Sequence, residues 1–126
     1  MKALLVDDSR AMRSMLRRLL TELGFEVMEA SHGIEALEVL KEVGTDNLPD
    51  LALIDWNMPE MNGIDLVKDL RSDKDYDGVR MVMVTSEAES ESILLALELG
   101  VDEYVMKPFE NEDLIEKLRS LGLLDS

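Results

Sequence analysis

Short apolar runs alternate with helical patterns along the whole chain. Ala3 to Val6 is the first run, and it closes on Asp7, Asp8 and Ser9. In the next segment Met12, Met15, Leu16, Leu19, Leu20 and Leu23 recur at the spacing of a single helix face, with Gly24 as the stop. Phe25 to Ala30 reads as a weaker strand, because Phe25 and Val27 alternate with acidic Glu26 and Glu29, as expected near a sheet edge. A second helix, about Ile34 to Val43, keeps Ile34, Leu37 and Leu40 on one side. The loop from Gly44 to Asp50 leads into Leu51, Ala52, Leu53 and Ile54, an apolar run bounded by Pro49 and Pro59 that ends abruptly on Asp55. That is the pattern of a central parallel strand covered on both faces, with Asp55 the first residue to emerge.

The second half repeats the alternation. A third helix starts after Asn62 and Gly63 and runs to about Ser72, with Ile64, Val67 and Leu70 apolar; a polar linker from Asp73 to Gly78 follows. Arg80 to Val84 predicts another buried strand, ending on Thr85 and Ser86. Helix four is expected over about Glu89 to Leu99, stopped by Gly100, strand five over Glu103 to Met106, and helix five over about Glu110 to Leu121. Strands alternating with helices in this way specify an α/β domain with a mostly parallel sheet and right-handed crossovers. In such sheets ligands gather beyond the C-terminal ends of the strands, where the direction of winding reverses. The residues at those ends are Asp7 and Asp8, Asp55, Thr85 with Ser86, and Lys107.

Composition narrows the chemistry. A chain of 126 residues is one domain, with no internal repeat, and large enough to bury about two-thirds of its unfolded surface. It has no cysteine, which removes disulfides and thiolate metal sites and suits a reducing cytosol. The N-terminal apolar run, interrupted by acids, is too short for a signal peptide or a membrane span. A net charge of −15 argues against contact with nucleic-acid phosphates. From Ser86 onward there are eleven Asp and Glu against three Lys and Arg. Those acids either coat solvated helix faces or tune a surface for basic partners.

Taken singly, an Asp, Ser or Thr at a strand end is an ordinary helix cap, and Lys107 could be a plain loop lysine. Jointly the residues say more. Asp7 and Asp8 cannot both be the same cap, and three carboxylates held close together raise one another's pKa unless a cation joins them. Mg²⁺ suits such a set, because it takes oxygen ligands and is usually held by one or two carboxylates plus a phosphate. His32, the one histidine, reads as a surface residue. Carboxylates with Mg²⁺, a lysine and a hydroxyl form a site for phosphoryl transfer, with a lone aspartate as nucleophile. Asp55 stands alone at its strand end and fits that role, while Asp7 and Asp8 suit a metal.

The acidic pair after Val6, Asp55 with Met58-Pro59 and Asn62-Gly63 behind it, Thr85-Ser86, and Lys107-Pro108-Phe109, in this order and at these separations, resemble the receiver domain of two-component response regulators across essentially the whole chain. The resemblance implies a doubly wound flavodoxin-like fold with strand order 2-1-3-4-5. It implies that Asp55 accepts a phosphoryl group from the phosphohistidine of a histidine kinase. Asp8, Asp55 and the backbone carbonyl of Asn57 would ligate Mg²⁺ directly, and Asp7 would help through water. Lys107 would contact the acyl phosphate, and its bond to Pro108 would be cis. Thr85 would turn its hydroxyl toward the phosphoryl group, and Tyr104 would move inward behind it, altering the surface of helix four, strand five and helix five.

Asp55-Trp56-Asn57-Met58-Pro59 looks like the chemotaxis subgroup, in which the receiver stands alone and binds the flagellar motor switch; the end of the chain at Ser126 suits a receiver without an output domain. One departure stands out: Ser86 to Glu91 contains no lysine, where chemotaxis receivers often carry basic residues. The implied protein is a cytoplasmic monomer partnered by a kinase, a switch protein or other protein target, and a phosphatase, but by neither nucleic acid nor membrane. Two alternatives remain. One is a phosphorelay carrier passing phosphate from Asp55 to a histidine phosphotransfer protein. The other is a turnover phosphatase, which needs a further acid or base; Glu87 and Asn57 are the near candidates, at positions the family associates with loss of its own phosphate.

Overall fold

The computed structural model describes residues 1–56, 58, 61–85 and 93–124. β1 (Lys2–Val6) pairs in parallel with β2 (Glu26–Ala30) on one side and β3 (Leu51–Asp55) on the other. β4 (Arg80–Thr85) and β5 (Glu103–Met106) extend the sheet in the order β2-β1-β3-β4-β5. The winding therefore reverses between β1 and β3, the strands that end on Asp7 and Asp55. The weak alternation of β2 matches its place at the edge, and the unbroken apolar runs belong to the strands inside.

Helices α1 (Arg10–Glu22) and α5 (Asn111–Ser120) cover one face; α2 (Gly33–Val43), α3 (Gly63–Arg71) and α4 (Ile93–Glu98) cover the other. Successive strand residues divide between the two cores, as the pleat demands. Ala3, Leu5, Leu51, Leu53, Val82, Val84 and Val105 pack with Leu16 and Leu20 of α1 and Leu114 and Leu118 of α5. Leu4, Val6, Ala52, Ile54, Met81 and Met83 pack with residues of α2, α3 and α4.

Most expected boundaries hold to within a residue or two, and the deviations have local causes. The first half of helix four, and with it the acidic lead-in from Ser86, lies outside the described residues. Two residues assigned to buried faces by periodicity stand in solvent: Met15 is 50% and Ile34 is 42% exposed. Each sits at the border of its apolar stripe. Leu16, Leu19 and Leu20 already fill the α1 contact, while Ala36 and Leu40 bring α2 close to the sheet. Gly24 does end α1. Its φ of 97° lets its own N–H reach the Thr21 carbonyl and the Phe25 N–H reach the Leu20 carbonyl, the paired bonds of a left-handed helix stop. Among the described residues no helix is long and apolar enough to cross a membrane.

Candidate functional site

Strand phase decides which end residues can meet. On β1 and β3, Asp7 and Asp55 continue the two-residue period of Leu5 and Leu53, so both reach the rim on the α1/α5 side; Lys107 follows Val105 in the same phase. The Lys107 Nζ lies 3.3 Å from Asp55 Oδ1. Thr85 follows Met81 and Met83 and falls in the opposite phase, shared with Tyr104, which packs against the core under α2 to α4. In the register of β4 and β5, Met83 faces Tyr104 and Thr85 faces Met106, placing Tyr104 behind Thr85 along one face. The Lys107 N–H donates to the Thr85 carbonyl at 2.6 Å, and the following Lys107–Pro108 bond is cis, as the resemblance implied.

One oxygen from each of Asp7, Asp8 and Asp55 lies within 4.8 Å of the others. Asp8 is exposed, whereas Asp7 and Asp55 are only 1% and 5% exposed. Asp55 therefore does not emerge from the sheet as its position after an apolar run suggested; it ends β3 still under cover. Burial raises the Asp7 pKa, with only partial relief from the Ser9 N–H and the more distant charges of Lys107 and Arg13. Burial also raises that of Asp55, and the neighbouring Asp7 carboxylate adds to it, while Lys107 works against both. Asp7 Oδ1 accepts from the Ser9 N–H at 2.8 Å, but the buried Asp7 Oδ2 has no hydrogen-bond partner among the described residues.

The cap reading of these acids fails. Helices α1, α2 and α3 are capped by Ser9, His32 and Asn62, whose side chains accept from the N–H of Met12, Glu35 and Asp65. His32 thus has a structural duty that a surface assignment overlooked: its Nδ1 holds the start of α2. None of the three carboxylates caps these helices, and their partners, the Ser9 N–H for Asp7 and Lys107 for Asp55, satisfy them only in part. An orphaned buried carboxylate oxygen inside a set of three acids is the donor set of a hard divalent cation, so the residues present fit a metal. Asn57, expected to add its backbone carbonyl, lies outside the described residues.

Sequence reasoning named Asn62-Gly63 as part of the pattern without a reason for the glycine. The structure supplies one: a Cβ on Gly63 would stand 2.6 Å from the Asp55 carbonyl oxygen and 2.8 Å from Met83 Cε. Gly63 also donates its N–H to the Trp56 carbonyl at 2.9 Å, closing the loop behind Asp55. Two side chains were missed altogether. Arg13 donates to the Asp7 carbonyl, and Arg71 gathers the opposite edge of the sheet. Their partners are 5 to 31 residues away in sequence, at spacings that leave no local signal. Tyr104 is half-buried, and Lys117, paired with Glu103 at 3.3 Å, sits 5.3 Å from the centre of its ring.

The model of the response regulator receiver domain matches residues 3–119. The chain belongs to this family. Relatives include the chemotaxis protein CheY1 of Helicobacter pylori, 45% identical over 94% of this chain and 94% of that one. The chemotaxis protein CheY homolog of Campylobacter jejuni is 46% identical over 96% of this chain and 92% of its own length. Among solved structures, chemotaxis protein CheY4 of Vibrio cholerae superposes with a TM-score of 0.84 at 33% identity, over 94% of this receiver and 96% of that chain. The receiver fold is thus shared with chemotaxis proteins, and in this chain the acidic cluster stands at its reversal point.

Proposed function

We propose that this receiver is a phosphorylation switch in chemotaxis, with Asp55 as phosphoacceptor. The observation that carries the reading is the buried Asp55 carboxylate flanked by Asp7 and Asp8 on one side and by the Lys107 ammonium at 3.3 Å on the other. Asp7, Asp8 and Asp55, with the Asn57 carbonyl as a further ligand, would hold Mg²⁺. Bound there, the ion neutralises charge on a transferring phosphoryl group. A carboxylate oxygen of Asp55 attacks phosphorus in line, an O–P bond forms, and the P–N bond to a kinase histidine breaks, its electron pair returning to the imidazole. Lys107, already beside Asp55, turns to an oxygen of the new acyl phosphate.

The output follows from the phase of the strands. Thr85 stands at the end of β4 with Tyr104 behind it on the same face, so a hydroxyl drawn toward the phosphoryl group opens room for the ring. Drawing the ring inward changes the surface of α4, β5 and α5, which is where we place the docking of a flagellar switch protein. The same site would serve a histidine kinase as donor and a phosphatase as reset. The protein acts in the cytoplasm as a monomer and turns over no external substrate beyond the slow loss of its own phosphate.

Labelling with acetyl phosphate tests the reading. Wild type should take up one phosphoryl group only when Mg²⁺ is present, and Asp55→Asn should take up none. Label retained in Asp55→Asn, or incorporated equally well in EDTA, would refute the assignment.

A further inference from the structure

Asp7 is held at three points before any ligand arrives. Its N–H donates to the Ala30 carbonyl at 3.1 Å, its carbonyl accepts from Arg13 Nη1 at 2.6 Å, and its Oδ1 accepts from the Ser9 N–H at 2.8 Å. What remains is Oδ2, buried and without a hydrogen-bond partner among the described residues, on a carboxylate that clusters with those of Asp8 and Asp55. Two of these three bonds are local to the strand end, one between backbones and one from the Ser9 N–H to Asp7's own carboxylate. The third comes from a side chain, and that side chain is itself restrained. Arg13 is only 17% exposed, and its Nε lies 3.3 Å from Glu29 Oε1. The other oxygen of Glu29 is taken by Arg17, one turn further along α1. Glu29, which the sequence offers as a solvated acid on an edge strand, is therefore bracketed by two arginines of α1, and one of them continues to the backbone of the acidic rim.

We propose that Arg13, braced by Glu29, is a positioning residue for the acidic pair: it fixes the Asp7 peptide so that Asp7 and Asp8 present their carboxylates in the arrangement a divalent cation needs. An Arg–Glu pair near the surface contributes little to stability by itself. Here the guanidinium ends on the carbonyl of a residue whose side chain lines the site, and groups that orient metal ligands matter to affinity as much as to stability. The fork matters as well as the charge. One guanidinium reaches a carbonyl with Nη1 and a carboxylate with Nε, a span that a lysine ammonium cannot reproduce.

Charge and geometry predict opposite outcomes, which makes the inference decidable. Arg13 is a cation behind three carboxylates, so its charge alone opposes a second cation; deleting it would tighten Mg²⁺ binding if charge were its whole role. A positioning role requires the reverse. The inference rests on the cation-binding reading proposed above, and the experiment separates the two. Mg²⁺ affinity is measured by calorimetric titration of the full, unphosphorylated chain with MgCl2, with urea unfolding run beside it to establish that each variant is folded. Arg13→Gln should weaken Mg²⁺ binding by about tenfold. Arg13→Lys should stay weakened, because charge is kept and the fork is lost. Glu29→Gln, milder and on the far side of the brace, should weaken binding by roughly threefold and carries the test if Arg13→Gln does not fold. Affinity unchanged or raised in the folded variants, or fully restored by lysine, overturns the positioning role alone. Absence of any Mg²⁺ response in wild type overturns the cation site itself, and the positioning role with it.

Discussion

The two edges of the sheet both collect acids, and they treat them in opposite ways. At the N-terminal edge, Asp102 Oδ2 accepts from Arg71 Nη2 at 3.0 Å and from the Met81 N–H at 2.8 Å, while Asp102 Oδ1 lies 3.6 Å from Arg80. The same Arg71 donates to the carbonyls of Gly100, Tyr76 and Val79 at 2.9, 2.9 and 2.8 Å, tying the α4–β5 and α3–β4 connections together. At the C-terminal edge, Asp7, Asp8 and Asp55 crowd one another, Lys107 reaches one of them, and burial raises two of their pKa values. An acid kept for structure has its partners built in. The acids of the rim are left short of them, at a cost in stability that a bound cation would offset.

The largest test of this contrast is Arg71→Ala. It takes the guanidinium from the Asp102 carboxylate, which keeps the Met81 N–H, and from the carbonyls of Gly100, Tyr76 and Val79 at once, and should cost about 3 kcal/mol in urea unfolding while leaving Mg²⁺ affinity unaltered at the opposite rim. A loss below about 1 kcal/mol would mean that water replaces the arginine without difficulty. The next effect has the other sign. Asp7→Asn keeps the acceptor for the Ser9 N–H but removes one crowded charge, so it should stabilise the metal-free protein by about 1–2 kcal/mol at neutral pH and abolish Mg²⁺ binding.

The pH dependence fixes the origin of that gain. Asp7 and Asp55 bind protons more tightly folded than at their ordinary value of 3.8. Over the interval just above 3.8 the folded protein therefore holds protons that the unfolded chain has released, and these two groups make stability fall as pH rises through it. The advantage of Asp7→Asn should be full above that interval and vanish below it, as urea midpoints at pH ~7 and at pH ~3.5 will show. An advantage that persists in acid would come from packing. The smallest expected effect is a control for general charge repulsion in a chain of net charge −15. Glu116, 75% exposed and 3.8 Å from Arg119, can be changed to Gln with a shift of less than about 0.5 kcal/mol. A gain matching that of Asp7→Asn would move the cause from the rim to the whole surface.

Much of this molecule could be read along the chain. Apolar runs ending on Asp7 and Asp55 define two buried strands and their polar ends; the helical stripe from Met12 to Leu23, closed by Gly24, defines α1; and the spacing of the acidic pair, Asp55, Thr85 and Lys107 marks the receiver family. Pattern was less informative where two solutions share it. Met15 and Ile34 sit at the borders of apolar stripes, and periodicity does not say how close each helix comes to the sheet. His32 reads as surface because a histidine cap has no strong sequence signature, although its Nδ1 holds the start of α2.

The order of elements and the identity of the residues at the strand ends were determined by the sequence, because hydrophobic period and helix-stop chemistry are local. Which ends meet was a tertiary decision. Strands buried on both faces carry apolar residues at every position, so the sequence conceals their phase. Only the assembled sheet places Asp7, Asp55 and Lys107 on one side and Thr85 with Tyr104 on the other. The partners that settle the fate of each acid, Arg71 for Asp102 and Arg13 with Glu29 behind Asp7, likewise come from distant segments. Long side chains choose them by reach across packed elements, and reach exists only after folding.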